Sequence, residues 1–239
     1  MERRQLGRGR PALRGGDRSL STRCLVTGGT GRLGAPLVSG LRERGWRVVA
    51  AGRADGDVSR ADDARALVER AAAELGGLDV VVNAAAGGWR VQPPQEVTEA
   101  DWDAALGATV KGTFFVSLAA ERHLRATRGL VVVVEDVAAE LPWTNLAPHA
   151  AAKAAQAHLT RILARAFAPD VRVCGVAPGP VAVAPEHAAG RAERTLLGRV
   201  GSPDDVVDAV SYLAGAAYVT GATLVVDGGR RLRTAPVDP

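Results

Sequence analysis

Six short apolar runs punctuate the chain, at 24–26, 47–51, 79–83, 130–134, 171–176 and 223–227, and all but the first are rich in valine. Continuous runs of this length read as strands buried on both faces of a parallel sheet. Between them lie helical segments near 31–44, 60–75, 98–126, 147–168 and 203–214. Ser59 followed by Asp62, and Thr98 followed by Asp101, resemble helix-start boxes. Gly45 is placed to end the first helix, and Pro203 suits a first helical position with Ser202 as its cap. Strands alternating with helices predict an α/β fold, a doubly wound parallel sheet in a single domain.

One junction in this pattern carries chemistry. Thr27-Gly28-Gly29-Thr30-Gly31-Arg32-Leu33-Gly34 follows the first apolar run directly and opens the first helix. In a Rossmann-type sheet, strand, glycine-rich turn and helix together bind a pyrophosphate. Glycine lets the backbone approach the phosphates, and the helix start offers free N–H groups and the positive end of its dipole. The same glycines would serve an ordinary tight turn, so the turn does not decide by itself.

Composition narrows the class. A chain of 239 residues with 47% hydrophobic content can bury one large core, and with only 4% aromatics that core must be Ala, Val and Leu. No apolar run approaches the length of a membrane span, and the arginine-rich start lacks the apolar stretch of a secretory signal. The sequence pI of about 9.7 points towards nucleic acid until the charge is located. Residues 1–23 hold seven arginines against Glu2 and Asp17, a net of +5, while the whole chain is +4, leaving about −1 for 24–239. The basicity is therefore a tail, expected to be disordered over 1–21. The folded domain is expected over 22–233 with a flexible end at 234–239, and neither a nucleic acid nor a membrane is expected as partner. Cys24 and Cys174 both fall in predicted strands without metal-ligand spacing. They read as inert core thiols in a reducing cytoplasm, with no metal site.

Further motifs arrive in a recognisable order. After the glycine turn come Asp57-Val58, Leu78-Asp79-Val80-Val81-Val82-Asn83-Ala84-Ala85, a helix carrying Lys153, Pro178-Gly179-Pro180, Leu197-Gly198-Arg199-Val200-Gly201, and Thr220-Gly221 leading to Val226-Asp227-Gly228-Gly229. Over about 22–232 the chain resembles a short-chain dehydrogenase/reductase. The resemblance implies binding of NAD(H) or NADP(H) and interconversion of carbonyls and alcohols. It places the cofactor against Thr27, Gly28, Arg32, Leu33 and Gly34, then Asp57 and Val58, then Asn83, Ala84 and Ala85, and finally Lys153, Pro178, Gly179 and Val181. Two departures resemble the pteridine-reductase branch. Arg32 stands at one of the spaced glycines of T-G-x-x-x-G-x-G, and Asp136 stands where the family has its active-site serine. Read from the residues alone, Arg32 could also be a solvated helix-face arginine and Asp136 a cap after its strand.

The tip of the second strand bears on the choice of cofactor. Acidic side chains there bond the ribose 2′-hydroxyl and repel a 2′-phosphate. This chain has Ala51-Gly52-Arg53, whose guanidinium suits a phosphate, so NADPH is expected in preference to NADH. Only Ala54 to Gly56 separate Arg53 from Asp57-Val58, where the family has a helix and most of a crossover. One crossover helix is expected to be missing, with an abbreviated sheet edge.

The chemical positions depart furthest from the family. Its tyrosine, four residues before the lysine, is His149 in His149-Ala150-Ala151-Ala152-Lys153. That spacing keeps both side chains on one helix face. Thr109 aligns with the helix-borne asparagine, Ala84 with the second asparagine of N-N-A-G, and Val183 with a threonine that often contacts the nicotinamide amide. An imidazolium is a competent acid near neutral pH, so Asp136, His149, Lys153 and Thr109 are the candidate catalytic set. Trp89 and Trp143 could wall a flat substrate pocket, and 184–196 resembles a short substrate lid. An NADPH-dependent reductase of a small carbonyl or imine-like ring follows. A redox-silent nucleotide binder and a non-redox acid–base enzyme stay open beside it. The Ala-rich helix 147–168 permits close helix approach, and the resemblance implies a homodimer or homotetramer.

Overall fold

The computed structural model describes residues 21–233, so the expected tails, save residue 21, lie outside the described residues. Six parallel strands form one sheet: β1 (Arg23–Thr27), β2 (Arg47–Ala51), β3 (Val80–Asn83), β4 (Leu130–Val134), β5 (Arg172–Pro178) and β6 (Thr223–Val226). Their order is β2-β1-β3-β4-β5-β6. It reverses between β1 and β3, which opens a crevice at the carboxyl ends of the strands.

Both faces of the sheet are covered, which is why the strand runs are apolar without alternation. On one face α1 (Gly34–Glu43) and α7 (Pro203–Gly215) press Leu37, Leu41, Val206 and Val210 onto Cys24, Val26, Val82 and Val132. On the other, α2 (Ala61–Leu75), α4 (Gly112–Thr127) and α5 (Ala147–Phe167) press Leu67, Val116, Leu163 and Phe167 onto Leu25, Val81, Val131 and Val173. Two shorter helices, α3 (Glu99–Leu106) and α6 (Pro185–Ala192), flank the crevice. After β2 the chain makes one 3-10 turn, Arg53–Asp55, and passes straight into the segment before α2. That is the missing crossover helix, and it leaves β2 as the sheet edge.

Local capping signals held where their partners were local. Thr98 and Asp101 bond each other's backbone N–H, at 2.9 and 3.3 Å, and Ser202 and Asp205 do the same, at 2.7 and 3.4 Å. Ser59 does not start α2. Its N–H is already held by Asp57 Oδ1 at 2.9 Å, and the helix begins two residues later at Ala61. The single helix expected over 98–126 is interrupted. A π-helical turn, Gly107–Lys111, separates α3 from α4.

Candidate active site

The glycine turn is built by a close approach. Gly28 has φ +66°, and a Cβ there would lie 2.7 Å from the carbonyl of Ala84 and from Ala85 Cα. Only glycine lets the chain leaving β1 pass the end of β3 at that distance. The helix α1 then starts with no acidic residue in its first turn and no side-chain cap, so its positive end faces the crevice. The crevice is a cleft of about 1430 Å³. Gly28, Arg32, Leu33 and Gly34 line it from the first turn, and Arg53, Asp57 and Val58 from the second. Ala84 and Ala85 line it from the end of β3, and Pro178, Gly179 and Val181 from the end of β5.

Two expected cofactor residues are turned elsewhere. Thr27 and Asn83 are buried and do not line the cleft. Asn83 Nδ2 donates to Ser117 Oγ at 3.0 Å, behind β3. At the strand tip, Asp55 folds back and accepts the Gly52 N–H at 2.8 Å, and it is not a cleft-lining residue. Arg53 is exposed and lines the cleft. The Ser59 N–H holds the Asp57 carboxyl below the usual range, so Asp57 caps its turn and lines the cleft as well.

The chemical half sits between β4 and α5. Asp136 follows β4 and divides its oxygens: Oδ1 accepts the Ala138 N–H at 2.8 Å, and Oδ2 lies 3.3 Å from His149 Nε2. It is both the cap and the partner of the histidine. The His149 ring also lies 6.0 Å from the Trp89 ring, tilted by 49°. One helical turn further, Lys153 is buried, 4% exposed, yet still lines the cleft. Its ammonium donates to the Val134 carbonyl at 2.8 Å and to Gln156 Oε1 at 2.9 Å. Burial pushes it down to about 8, against the pull of the carboxylates of Asp136 and Glu135.

Thr109 does not reach the cleft. The π turn buries it, with its hydroxyl accepting the Gly87 N–H at 3.1 Å. Its carbonyl takes the Gln156 Nε2 at 3.2 Å and the Thr113 hydroxyl at 2.7 Å. It therefore braces the lysine through Gln156, and a π turn is a common device for such a displaced carbonyl.

Several site residues were missed from the sequence. Glu135, directly after the Leu130–Val134 run and before Asp136, is buried with its oxygens held by Thr160 at 2.7 Å and Thr223 at 3.0 Å. Burial raises its carboxyl. Gln156 carried a signal in its spacing, three residues after Lys153 on the same helix. Trp89 and Trp143 both line the cleft, and the Arg230 guanidinium lies 5.8 Å above the Trp143 ring. From the expected lid, α6 adds His187 and Arg191 to the lining. Among the described residues no group of acidic, histidine or cysteine side chains could hold a metal ion, and no helix is long and apolar enough to cross a membrane.

Residues 35–231 match the family described as enoyl-(acyl carrier protein) reductase. The chain belongs to the short-chain dehydrogenase/reductase family. It is 36% identical to a Streptomyces violaceoruber protein assigned as ketoacyl reductase 2 of the granaticin polyketide synthase, over 87% of this chain and 95% of that one. It is 35% identical to the cis-4-hydroxycyclohexanecarboxylate dehydrogenase of Sinomonas cyclohexanicum, over 86% and 94%. Among solved structures it resembles a gluconate 5-dehydrogenase from Burkholderia cenocepacia in complex with NADP and tartrate. That likeness has TM-score 0.79 and 27% identity, and covers 90% of this chain and 97% of that one. The family binds nicotinamide cofactors, and the glycine cradle, the open end of α1 and the cleft-lining guanidiniums of Arg32 and Arg53 fit a dinucleotide.

Proposed function

We propose that the protein is an NADP(H)-dependent oxidoreductase that reduces a carbonyl or imine-like ring of a small molecule, with His149 as its proton donor. The observation that carries this is the 3.3 Å approach of His149 Nε2 to Asp136 Oδ2 on the cleft wall, one helical turn from Lys153. Reduced nicotinamide supplies the hydride when bound. The imidazolium of His149 gives the proton to the oxygen or nitrogen that receives the negative charge. The Asp136 carboxylate orients the ring. Two of the three Lys153 donors are held by Val134 and Gln156, leaving one for the bound nucleotide.

Arg53 supports NADPH over NADH, because a guanidinium pairs with a 2′-phosphate and has no partner of that kind in NADH. Arg32 and Asp136, as in the pteridine-reductase branch, support a flat ring between the indoles. The named substrate of the Sinomonas relative is likewise a ring compound. Cys24 and Cys174, free and buried on β1 and β5, support a reducing, cytoplasmic setting. Phe114 and Leu118 on α4 and Ile162 on α5 are exposed, and they support a homodimer or homotetramer joined through these helices.

The test follows NADPH absorbance over a panel of cyclic carbonyls and pterins, with product mass in parallel. Consumption by the parent and its loss in His149→Ala, with NADPH affinity retained by calorimetry, is the expected result. Product formed at constant NADPH would instead establish non-redox acid–base chemistry. Neither product nor consumption would leave a redox-silent nucleotide binder.

A further inference from the structure

We infer that Asp55 is a positioning residue for cofactor choice: together with Arg70 of α2 it holds Arg53 at the cleft, where the guanidinium is available to the 2′-phosphate that distinguishes NADPH from NADH. This deepens the reading above and rests on its preference for NADPH. The device stands where the crossover helix is missing. The chain leaves β2 at Gly52 and makes the single 3-10 turn Arg53–Asp55. Asp55 closes that turn twice. Its N–H donates to the Gly52 carbonyl at 3.1 Å, and its Oδ2 accepts the Gly52 N–H at 2.8 Å. Arg53 lies between these two residues, so its backbone is fixed on both sides before a nucleotide arrives. Arg70 fastens the turn from α2. It donates to the Asp55 carbonyl at 2.8 Å, and its guanidinium lies 3.9 Å from Asp55 Oδ1. The chain just beyond is tied to the same helix, since the Asp57 N–H donates to Asp63 Oδ2 at 3.0 Å.

The turn is seated against the glycine turn. A Cβ on Gly52 would collide with the Thr30 hydroxyl, so the tip of β2 packs directly on the chain that follows β1. Thr30, Gly52 and Arg53 all line the cleft there, whereas Asp55 and Arg70 do not. Among the described residues no side chain pairs with the Arg53 guanidinium, although Asp55 is only two positions away. The acid is engaged in another direction. A carboxylate free at a strand tip would accept from the ribose 2′-hydroxyl and repel a 2′-phosphate. Asp55 instead gives one oxygen to the Gly52 N–H and has the other beside Arg70. An arginine held on a formed turn loses less freedom when it binds, and a turn formed only part of the time weakens binding in proportion. NADH has a hydroxyl in place of the phosphate and gains no ion pair from Arg53. The turn therefore acts on the ratio of the two affinities and not on nucleotide binding in general.

The experiment is calorimetry of NADPH and NADH on the full chain, with no substrate present. The parent is expected to bind NADPH about tenfold more tightly than NADH. Asp55→Ala should lower that ratio about threefold or more, through weaker NADPH alone. An unchanged NADH affinity shows that the variant is folded, and a general loss of structure would weaken both. Asp55→Asn keeps an oxygen for the Gly52 N–H, so its ratio should stay at or above that of the parent. The two variants remove the same charge, so relief of a direct repulsion would raise the ratio in both. Arg70→Met should lower the ratio as Asp55→Ala does. Arg53→Ala made on top of Asp55→Ala should weaken NADPH less than it does in the parent, because the arginine is then already poorly placed. A ratio raised or unchanged in Asp55→Ala, or lowered equally in Asp55→Asn, overturns the positioning role while the parent's preference for NADPH stands. A parent that binds the two nucleotides equally overturns the cofactor reading, and the role of Asp55 with it.

Discussion

Replacing Gln156 by leucine tests how the buried lysine is held. Gln156 has no exposed surface, and its amide joins the Lys153 ammonium to the Thr109 carbonyl and the Thr113 hydroxyl. Leucine is close in volume, so the cost is polar and not a cavity. The ammonium loses one of two protein acceptors, and a hydrogen bond to a charged group contributes about 1.5–3 kcal/mol. The Thr109 carbonyl keeps the Thr113 hydroxyl, so that side adds about 1 kcal/mol. A loss of about 2.5–4 kcal/mol is expected while Lys153 is charged, a large part of a typical domain's stability. The loss should depend on pH. Lys153 titrates at about 8 in the fold, down from 10.5. Below that value the folded protein carries the charge, and the variant forfeits the charged bond. Above it the folded amine is neutral, and the loss should shrink to about 1–2 kcal/mol. Between about 8 and 10.5 the unfolded chain holds a proton that the folded one does not, so this lysine makes the parent itself more stable as pH rises. Urea denaturation of both proteins on either side of that value is the assay. A difference below about 1 kcal/mol at both pH values, or one that does not change with pH, refutes the account.

The other predictions address the cradle, the proton donor, the cofactor and the assembly. Gly28→Ala should abolish nucleotide binding by calorimetry and lower stability by about 2 kcal/mol or more, because its Cβ would meet the Ala84 carbonyl at 2.7 Å with φ at +66°. His149→Tyr should move the alkaline limb of kcat/KM to higher pH without abolishing turnover, since a phenol keeps its proton longer than an imidazole; an unmoved limb would show that the histidine is a spectator. Arg53→Ala should weaken NADPH roughly tenfold while leaving NADH nearly unchanged, and equal losses for the two would remove the 2′-phosphate contact. Leu118→Glu combined with Ile162→Glu should yield monomers by light scattering, whereas a monomeric parent would refute the helix-mediated assembly.

The sequence by itself determined the layered sheet. Each strand residue faces one helical layer or the other, so valine runs such as Leu130–Val134 have no polar position to spare. It determined the caps at Thr98 and Ser202, whose partners lie three residues away, and the glycine turn, whose backbone only glycine tolerates. The pairing of Asp136 with His149 was legible through the family's spacing, since the two are 13 residues apart and meet only when β4 packs on α5. What only the tertiary structure decided lies where side chains answer to distant segments. Thr109 turned from the cleft because its carbonyl is claimed by Gln156, 47 positions on, and the helix yielded a π turn to present it. Asn83 turned to Ser117 on α4, and Thr27 is buried. Glu135 became part of the site because Thr160 of α5 and Thr223 of β6 stabilise a carboxylate that an isolated strand end could not keep buried. Arg230, near the end of the folded chain, reached the cleft only because Asp227 and the Arg231–Glu140 pair fold its turn back over Trp143. Periodicity and local caps are properties of neighbours in sequence; the direction of a polar side chain is set by whichever partner, however distant in sequence, best repays its desolvation.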